Sequence, residues 1–345
     1  MKKTTALLAA LPAAIACAAA FAGSASRPAV LWAKPLIANG YQARFSPDGT
    51  WISFAYRTPT KSGRTILCVQ HPDGSGLHCF GSLPGAVTGG GSWLPDGKSL
   101  IVDSGKGIDH LYRVTLSGAF TQLTNGPGDT SPSVSADGNR VVYVSTRAED
   151  GNYTDLYLLN LATGQGRLLT HTLDDKSSPA FSPGGRLVVF SDQSSPVFHR
   201  STRTWTGPAL DQVDVTTGKI TTLFTSVGRS AWVDSPVFSP NGRYIAFGLG
   251  NGTPSSSYQY DRLSSTYLYD RQTRDVHKLI GFNLWTPAGS TARVGVTGVG
   301  PTSFSPDGNW LAYDRQLGRV QNGTLFTRGY SSVYLARVSG FPPKN

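Results

Sequence analysis

Acidic residues other than aspartate are almost missing from this 345-residue chain: Glu149 is its single glutamate and Met1 its single methionine. A catalytic carboxylate pair would therefore have to be built from aspartates, and no spacing singles two of them out. Cysteine is nearly absent too, with Cys17, Cys68 and Cys79 only. That excludes a cysteine-rich zinc module or a heavily cross-linked scaffold. After residue 26 no long stretch repeats apolar residues at helical spacing, which leaves little room for helical layers. The histidines at 71, 78, 110, 171, 199 and 277 show no paired metal-ligand spacing. No Gly-x-Ser-x-Gly occurs. The run Ser92–Ser99 nearly spells a phosphate-binding loop, but Ser92 stands where glycine is required. No catalytic residue, cofactor or metal is expected on these grounds, and the basic residues are too scattered for nucleic acid.

What the chain has in plenty is glycine (40), proline (22), threonine, valine and tyrosine, an all-β composition. One phrase recurs six times. Phe45-Ser46-Pro47-Asp48-Gly49, Trp93-Leu94-Pro95-Asp96-Gly97, Val134-Ser135-Ala136-Asp137-Gly138, Phe181-Ser182-Pro183-Gly184-Gly185, Phe238-Ser239-Pro240-Asn241-Gly242 and Phe304-Ser305-Pro306-Asp307-Gly308 align on their last glycine. Three residues on stand Ile52, Leu100, Val141, Val188, Ile245 and Leu311. Five residues on stand Phe54, Val102, Tyr143, Phe190, Phe247 and Tyr313. Matching flanks at fixed offsets define an internal repeat. Proline presets the first corner of a turn, aspartate or asparagine suits the second, and glycine supplies the left-handed residue that closes a hairpin. Alternate apolar positions then send one face of each hairpin into a core.

A second hairpin follows each of the first five, turning at Asp73-Gly74, Ser117-Gly118, Thr163-Gly164, Thr217-Gly218 and Thr273-Arg274. The unit is thus four antiparallel strands, A to D, and the architecture expected is an all-β six-bladed propeller over 27–345. The sixth unit ends after its third strand, Ser332–Ala336, and the segment Ala29–Leu36 is predicted to supply the missing fourth, closing the ring and covering its open edge. Cys68 and Cys79 have their midpoint between Asp73 and Gly74, so a two-residue hairpin there places them opposite each other and predicts a cross-strand disulfide.

Residues 1–26 read as a secretory leader: Met1-Lys2-Lys3, an apolar run from Ala6 to Ala22, and small residues at Ala20–Ala22 and Gly23–Ala25 for cleavage. Lipoprotein processing at Cys17 is the alternative, with Ala14 where leucine is usual. Cleavage would leave no transmembrane segment in a monomeric, periplasmic or secreted protein. It removes Lys2 and Lys3 and no acid, lowering the net charge from +10 to +8, a balance that favours anionic partners.

These blades resemble the TolB-type WD40-like repeats of the PD40 class, whose signature is an apolar residue and Ser-Pro-Asp-Gly before a buried strand. Leu123-Thr124 and Leu169-Thr170 also fit that pattern, and no Trp-Asp dipeptide ends a blade. TolB itself carries an α/β domain between leader and propeller, which is expected to be lacking here. The resemblance implies a propeller that binds a protein or an anionic envelope component. The rival reading is a carbohydrate-active hydrolase or lyase working in the central channel.

The A–B and C–D turns are minimal and make one rim smooth. The other rim takes the additions, with glycine-to-glycine spacing growing from 41 (97 to 138) to 66 (242 to 308). Ligand-binding candidates there are Arg200, Arg203 and Trp205 in 191–209, Tyr258 and Tyr260 in 249–265, and Trp285 and Arg293 in 280–300. Tyr41, Asp129, Lys176 and Asp234, eight or nine residues before the aligned glycines, are candidates for the channel mouth, with interblade hydrogen bonding as their alternative role.

Overall fold

The computed structural model describes residues 27–341 apart from the short stretches 60–62, 147–152, 173, 229–230, 253–261, 287, 289, 292, 322–323 and 328–330. It holds six antiparallel sheets arranged as a six-bladed β-propeller. Blade 1 runs Gly40–Phe45, Ile52–Arg57, Thr65–Gln70 and His78–Phe80. Blade 2 runs Ser92–Trp93, Ser99–Gly105, Asp109–Thr115 and Phe120–Gln122. Blade 3 runs Thr130–Val134, Arg140–Ser145, Asp155–Asn160 and Gly166–Leu168. Blade 4 runs Lys176–Phe181, Leu187–Asp192, Thr204–Asp214 and Ile220–Val227, with Val197–His199 added beside its third strand. Blade 5 runs Ala231–Phe238, Tyr244–Gly252, Arg262–Asp270 and Val276–Ile280. In blade 6 the strands Arg293–Phe304, Trp310–Gln321 and Ser332–Ser339 are completed by Ala29–Ile37, in the register Ala33 to Ala336. The chain's opening strand therefore closes the ring. Asn283–Trp285 and Thr324–Thr327 add short strands to the same sheet.

The repeated turn is built as its residues dictate. In blade 1 the Ser46 hydroxyl donates to Asp48 at 2.6 Å and accepts from the Trp51 amide at 2.9 Å, while the Gly49 amide donates to the Ser46 carbonyl at 2.9 Å. Gly49 sits at φ 74°, and the five equivalent glycines lie between 63° and 72°, where a side chain would be strained. Every one of the twelve apolar residues three and five places after those glycines is buried.

The core is divided among six seams rather than gathered at one centre. Each buried apolar cluster draws on two adjacent blades: Val142, Leu156, Val188 and Phe190, for example, join blades 3 and 4, and Ile37, Phe54, Ala312 and Leu335 join blades 6 and 1. Full burial of such side chains contributes about 1.5–3 kcal/mol each, so adjacency of blades is a condition of stability. Cys68 and Cys79 are disulfide-bonded in register. The link between their strands is the loop 71–77 rather than a two-residue hairpin, yet the pairing is the one its midpoint implies. Among the described residues no helix is long and apolar enough to cross a membrane.

The additions on the loop-rich rim are longer strands more than loops. Thr204–Asp214 has 11 residues, and Arg293–Phe304 and Trp310–Gln321 have 12 each. Blades 4 and 6 thus rise above the ring as extended hairpins.

Candidate functional site

The innermost strands surround a channel, and bulges in those of blades 1, 3, 4 and 5 shape what that channel displays. Gln42, Ser131, Ser178 and Ser235 occupy the same place, seven residues before the turn glycine, and all adopt left-handed φ of 49–54°. The strand register slips at each of these positions. Such a bulge turns a backbone amide away from its own sheet. Two of these amides reach the preceding blade: the Gln42 amide meets both oxygens of Asp314 at 3.0 and 2.9 Å, and the Ser131 amide meets Asp103 at 2.8 Å. Asp103 also accepts from the Thr88 hydroxyl at 2.5 Å. Burial pushes the Asp314 carboxyl up to about 7; the Gln42 amide and Arg44 oppose that, and Asp234 adds to it.

On the smooth rim the channel widens into a funnel of about 390 Å³ lined by residues of all six blades. Its wall alternates the turn prolines with Phe45, Trp93, Phe181, Phe238 and Phe304. The turns interlock around it, with Gly49 against Pro306, Gly138 against Pro95 and Gly242 against Pro183. At its foot lies a constriction of about 30 Å³, lined by Gln42, Arg44, Asp103, Ser131, Ser178 and Thr302 among others.

The four residues expected at the channel mouth separate. Lys176 is fully buried; its ammonium pairs with Asp192 at 3.1 Å and donates to the Asp174 carbonyl at 2.6 Å. Asp129 is fully buried and accepts from the Gly126 amide at 3.1 Å. Tyr41 donates to the Thr65 hydroxyl at 3.4 Å and packs in the seam between blades 1 and 2. Only Asp234 is close enough to the constriction to act on Asp314. The side-chain bonds named for Lys176, Asp129 and Tyr41 are made within one blade or the loop leading into it.

The rim candidates separate too. Phe198 and Trp205 meet across the blade 4 hairpin with ring centroids 5.1 Å apart and ring planes tilted by 45°, paired in register. Val197 is 57% exposed, Phe198 45% and Val227 63%. Arg200 and Arg203 are exposed in the connecting turn, where Arg203 takes φ 55°. Trp285 lies in the short strand paired to Val294, and Arg293 opens the long strand that follows. Tyr258 and Tyr260 lie outside the described residues, as do residues 1–26 with the leader expected there. Among the described residues no group of three or more histidine, cysteine or acidic side chains is placed to hold a metal ion.

Missed from the sequence were the funnel and Arg44 at its foot. The signal was available: five residues before the aligned glycines stand Arg44, Ser92, Ser133, Ala180, Val237 and Ser303, five small or apolar residues and one cation.

Residues 41–262 match the family model described as PD40, TolB beta propeller domain. An uncharacterized protein of Agrobacterium fabrum is 30% identical over 165 residues, which is 45% of this chain and 48% of that protein, so the match spans about half the length of that relative. Among solved structures, TolB from Acinetobacter baumannii superposes with a TM-score of 0.57 at 20% identity, covering 86% of this chain and 65% of that one. An oligogalacturonate lyase in complex with manganese superposes with a TM-score of 0.51 at 14% identity, covering 88% and 90%. At these identities the solved structures share the fold.

Proposed function

This chain belongs to the PD40 family of TolB β-propeller domains, and from that footing we propose that it is an exported envelope protein that binds a partner on its loop-rich rim. The leader-like residues 1–26 support export. The observation that carries the reading is the blade 4 hairpin. It carries a tilted Phe198–Trp205 ring pair on the loop-rich rim, beside exposed Val197 and Val227 and the cations Arg200 and Arg203. Isolated exposed apolar residues are ordinary, but an aromatic pair held on a rigid strand pair and rimmed by arginine is the composition of a binding hot spot. A protein surface, apolar at its centre and acidic at its border, fits it best.

The test is affinity capture from envelope extract with the wild-type protein and with Phe198→Ser/Trp205→Ser, a variant expected to melt at the wild-type temperature. A partner held by the first and lost by the second supports the reading; equal recovery by both places the site elsewhere. The rival, carbohydrate hydrolysis or elimination in the channel, has in its favour the fold shared with the lyase. Turnover of an acidic polysaccharide with added divalent metal, lost on Asp234→Asn with the fold retained, would favour it.

A further inference from the structure

The ring position five residues before the turn glycine faces the funnel in all six blades. Three of its serines are spent on holding blades together: Ser92 accepts from the Val134 amide at 3.0 Å, Ser133 from Phe181 at 3.1 Å and Ser303 from Phe45 at 3.2 Å. Blade 1 breaks the series with Arg44, whose own interblade tie is its carbonyl, accepting from the Trp93 indole at 3.1 Å. Its side chain is left for the lumen. Among the described residues Arg44 is the one charged residue lining the funnel, and it lines the constriction as well. Its enclosed Nη1 has no hydrogen-bonding partner among the described residues, and neither has the enclosed hydroxyl of Thr302 on the same wall. Asp314, the acid whose charge acts on it, has both oxygens against the Gln42 amide. Burial lowers the Arg44 guanidinium to about 10, with Asp314 pulling the other way, so it stays charged at neutral pH. An enclosed cation with an unused donor is costly to fold. Here it stands at one of six equivalent places where serine, alanine or valine otherwise suffices.

The wall narrows the choice of anion. The turn serines are already engaged in their own turns; Ser46, Ser135 and Ser305, for instance, each donate to the aspartate two residues on. A polyhydroxylated ligand would find few free partners, whereas an apolar stem would lie against proline and aromatic rings. Asp103 in the wall of the constriction and Asp314 close to Arg44 disfavour a doubly charged group such as phosphate. The constriction has room for no more than a few water molecules, so a ligand entering from the smooth rim stops at Arg44. We propose that Arg44 is the anion-binding group of a carboxylate site at the foot of the funnel, which takes a single carboxylate carried on an apolar stem. The stem is the last residues of a peptide or a free organic acid. The site lies on the rim opposite the blade 4 hairpin and does not depend on that hairpin's partner.

The probes are acetyl-Ala-Leu-Phe with a free C-terminal carboxylate, the same peptide as its C-terminal amide, phenylacetate and galacturonate, titrated into the full protein and followed by ligand-observed NMR. The acid peptide or phenylacetate is expected to bind, and the amide at least about tenfold more weakly, as loss of a charge-assisted bond to arginine requires. Arg44→Gln should erase the acid-over-amide preference, and Arg44→Lys should restore part of it. Binding by the peptide alone points to a chain terminus, and by phenylacetate alone to a free acid; both support the site. Equal binding of acid and amide by the wild-type protein, a preference that survives Arg44→Gln, or binding of galacturonate alone would overturn it. The wild-type comparison decides even if a variant fails to fold, and loss of the rim partner on Phe198→Ser/Trp205→Ser would leave all these outcomes unchanged.

Discussion

The backbone amide of Gln42 donates to the carboxylate of Asp314, 272 residues away, at 3.0 and 2.9 Å to its two oxygens. One group lies on the inner strand of the first blade and the other on the second strand of the last. The left-handed φ of 51° at Gln42 aims the amide across the seam. The same device recurs between blades 2 and 3, where Ser131 at φ 54° donates to Asp103. Backbone strain at the bulge is thus exchanged for an interblade bond.

Replacing Asp314 by alanine leaves the Gln42 amide enclosed without an acceptor and Arg44 without its neighbouring acid. A loss of about 2–3 kcal/mol is expected by urea denaturation. The pH dependence has a definite sign. Asp314 titrates near 3.8 unfolded and about 7 folded, so between those values the folded protein binds the extra proton. Its contribution therefore falls as pH rises from about 4 through about 7 and is level above that. Asp314→Asn should lack this component, so the stability difference between wild type and Asp314→Asn should shift against the wild type across the window. A difference that is flat from pH 4 to 7 would refute the assignment.

Lys176 and Asp192 form a buried pair whose partners cannot be removed singly without cost. Lys176→Ala should destabilise the protein by about 3–5 kcal/mol, because Asp192 is left with little solvent and no cation. Lys176→Met combined with Asp192→Leu should recover much of the loss. A double-mutant cycle by thermal melting reads the coupling directly; additive effects would mean the pair contributes nothing as a pair.

Deleting residues 27–38 removes the outer strand of blade 6, with Ile37 from the seam and Trp32 from its edge-on contact with Trp310, ring centroids 5.1 Å apart. The whole ring, not one blade, should lose stability, with a single transition moved to lower temperature and new self-association through the bared edge of Ser332–Ser339. Calorimetry and light scattering check this; an unchanged melt would mean the closing strand is dispensable.

The disulfide predicts a simple chemical outcome. Denatured, unreduced protein should show no reactive thiol from Cys68 or Cys79. Cys68→Ala/Cys79→Ala should lower stability by about 2–3 kcal/mol, the loop-closure value for a cross-link spanning 11 residues.

Blade number, the buried positions after each turn, the closing strand and the disulfide register could all be read from the chain, because each depends on local turn chemistry repeated six times. The site was harder to read. Lys176 and Asp129 looked like channel residues because they stand near the ends of inner strands. Whether such a group faces the lumen or the seam depends on the bulge beside it and on the neighbouring blade, which local pattern does not encode. Arg44 was overlooked for the opposite reason. It lies inside the repeated phrase, where attention falls on what matches, and its meaning comes from being the residue that does not. The rim additions were expected as loops; strand pairing extends into them because Thr204–Asp214 and Arg293–Phe304 find partners at both ends, interrupted only by short register shifts.

The join between Ala29–Ile37 and Ser332–Ser339 sets an order of events. The strand Ala29–Ile37 emerges before every blade strand and waits for a mate that follows all five other blades, so the edge of Ser332–Ser339 and the seam between the last and first blades are sealed only after those blades are through. Until then an adhesive margin stands open at each end, and a cell that exports this chain must shield it during passage or let the two margins meet faster than strangers find them.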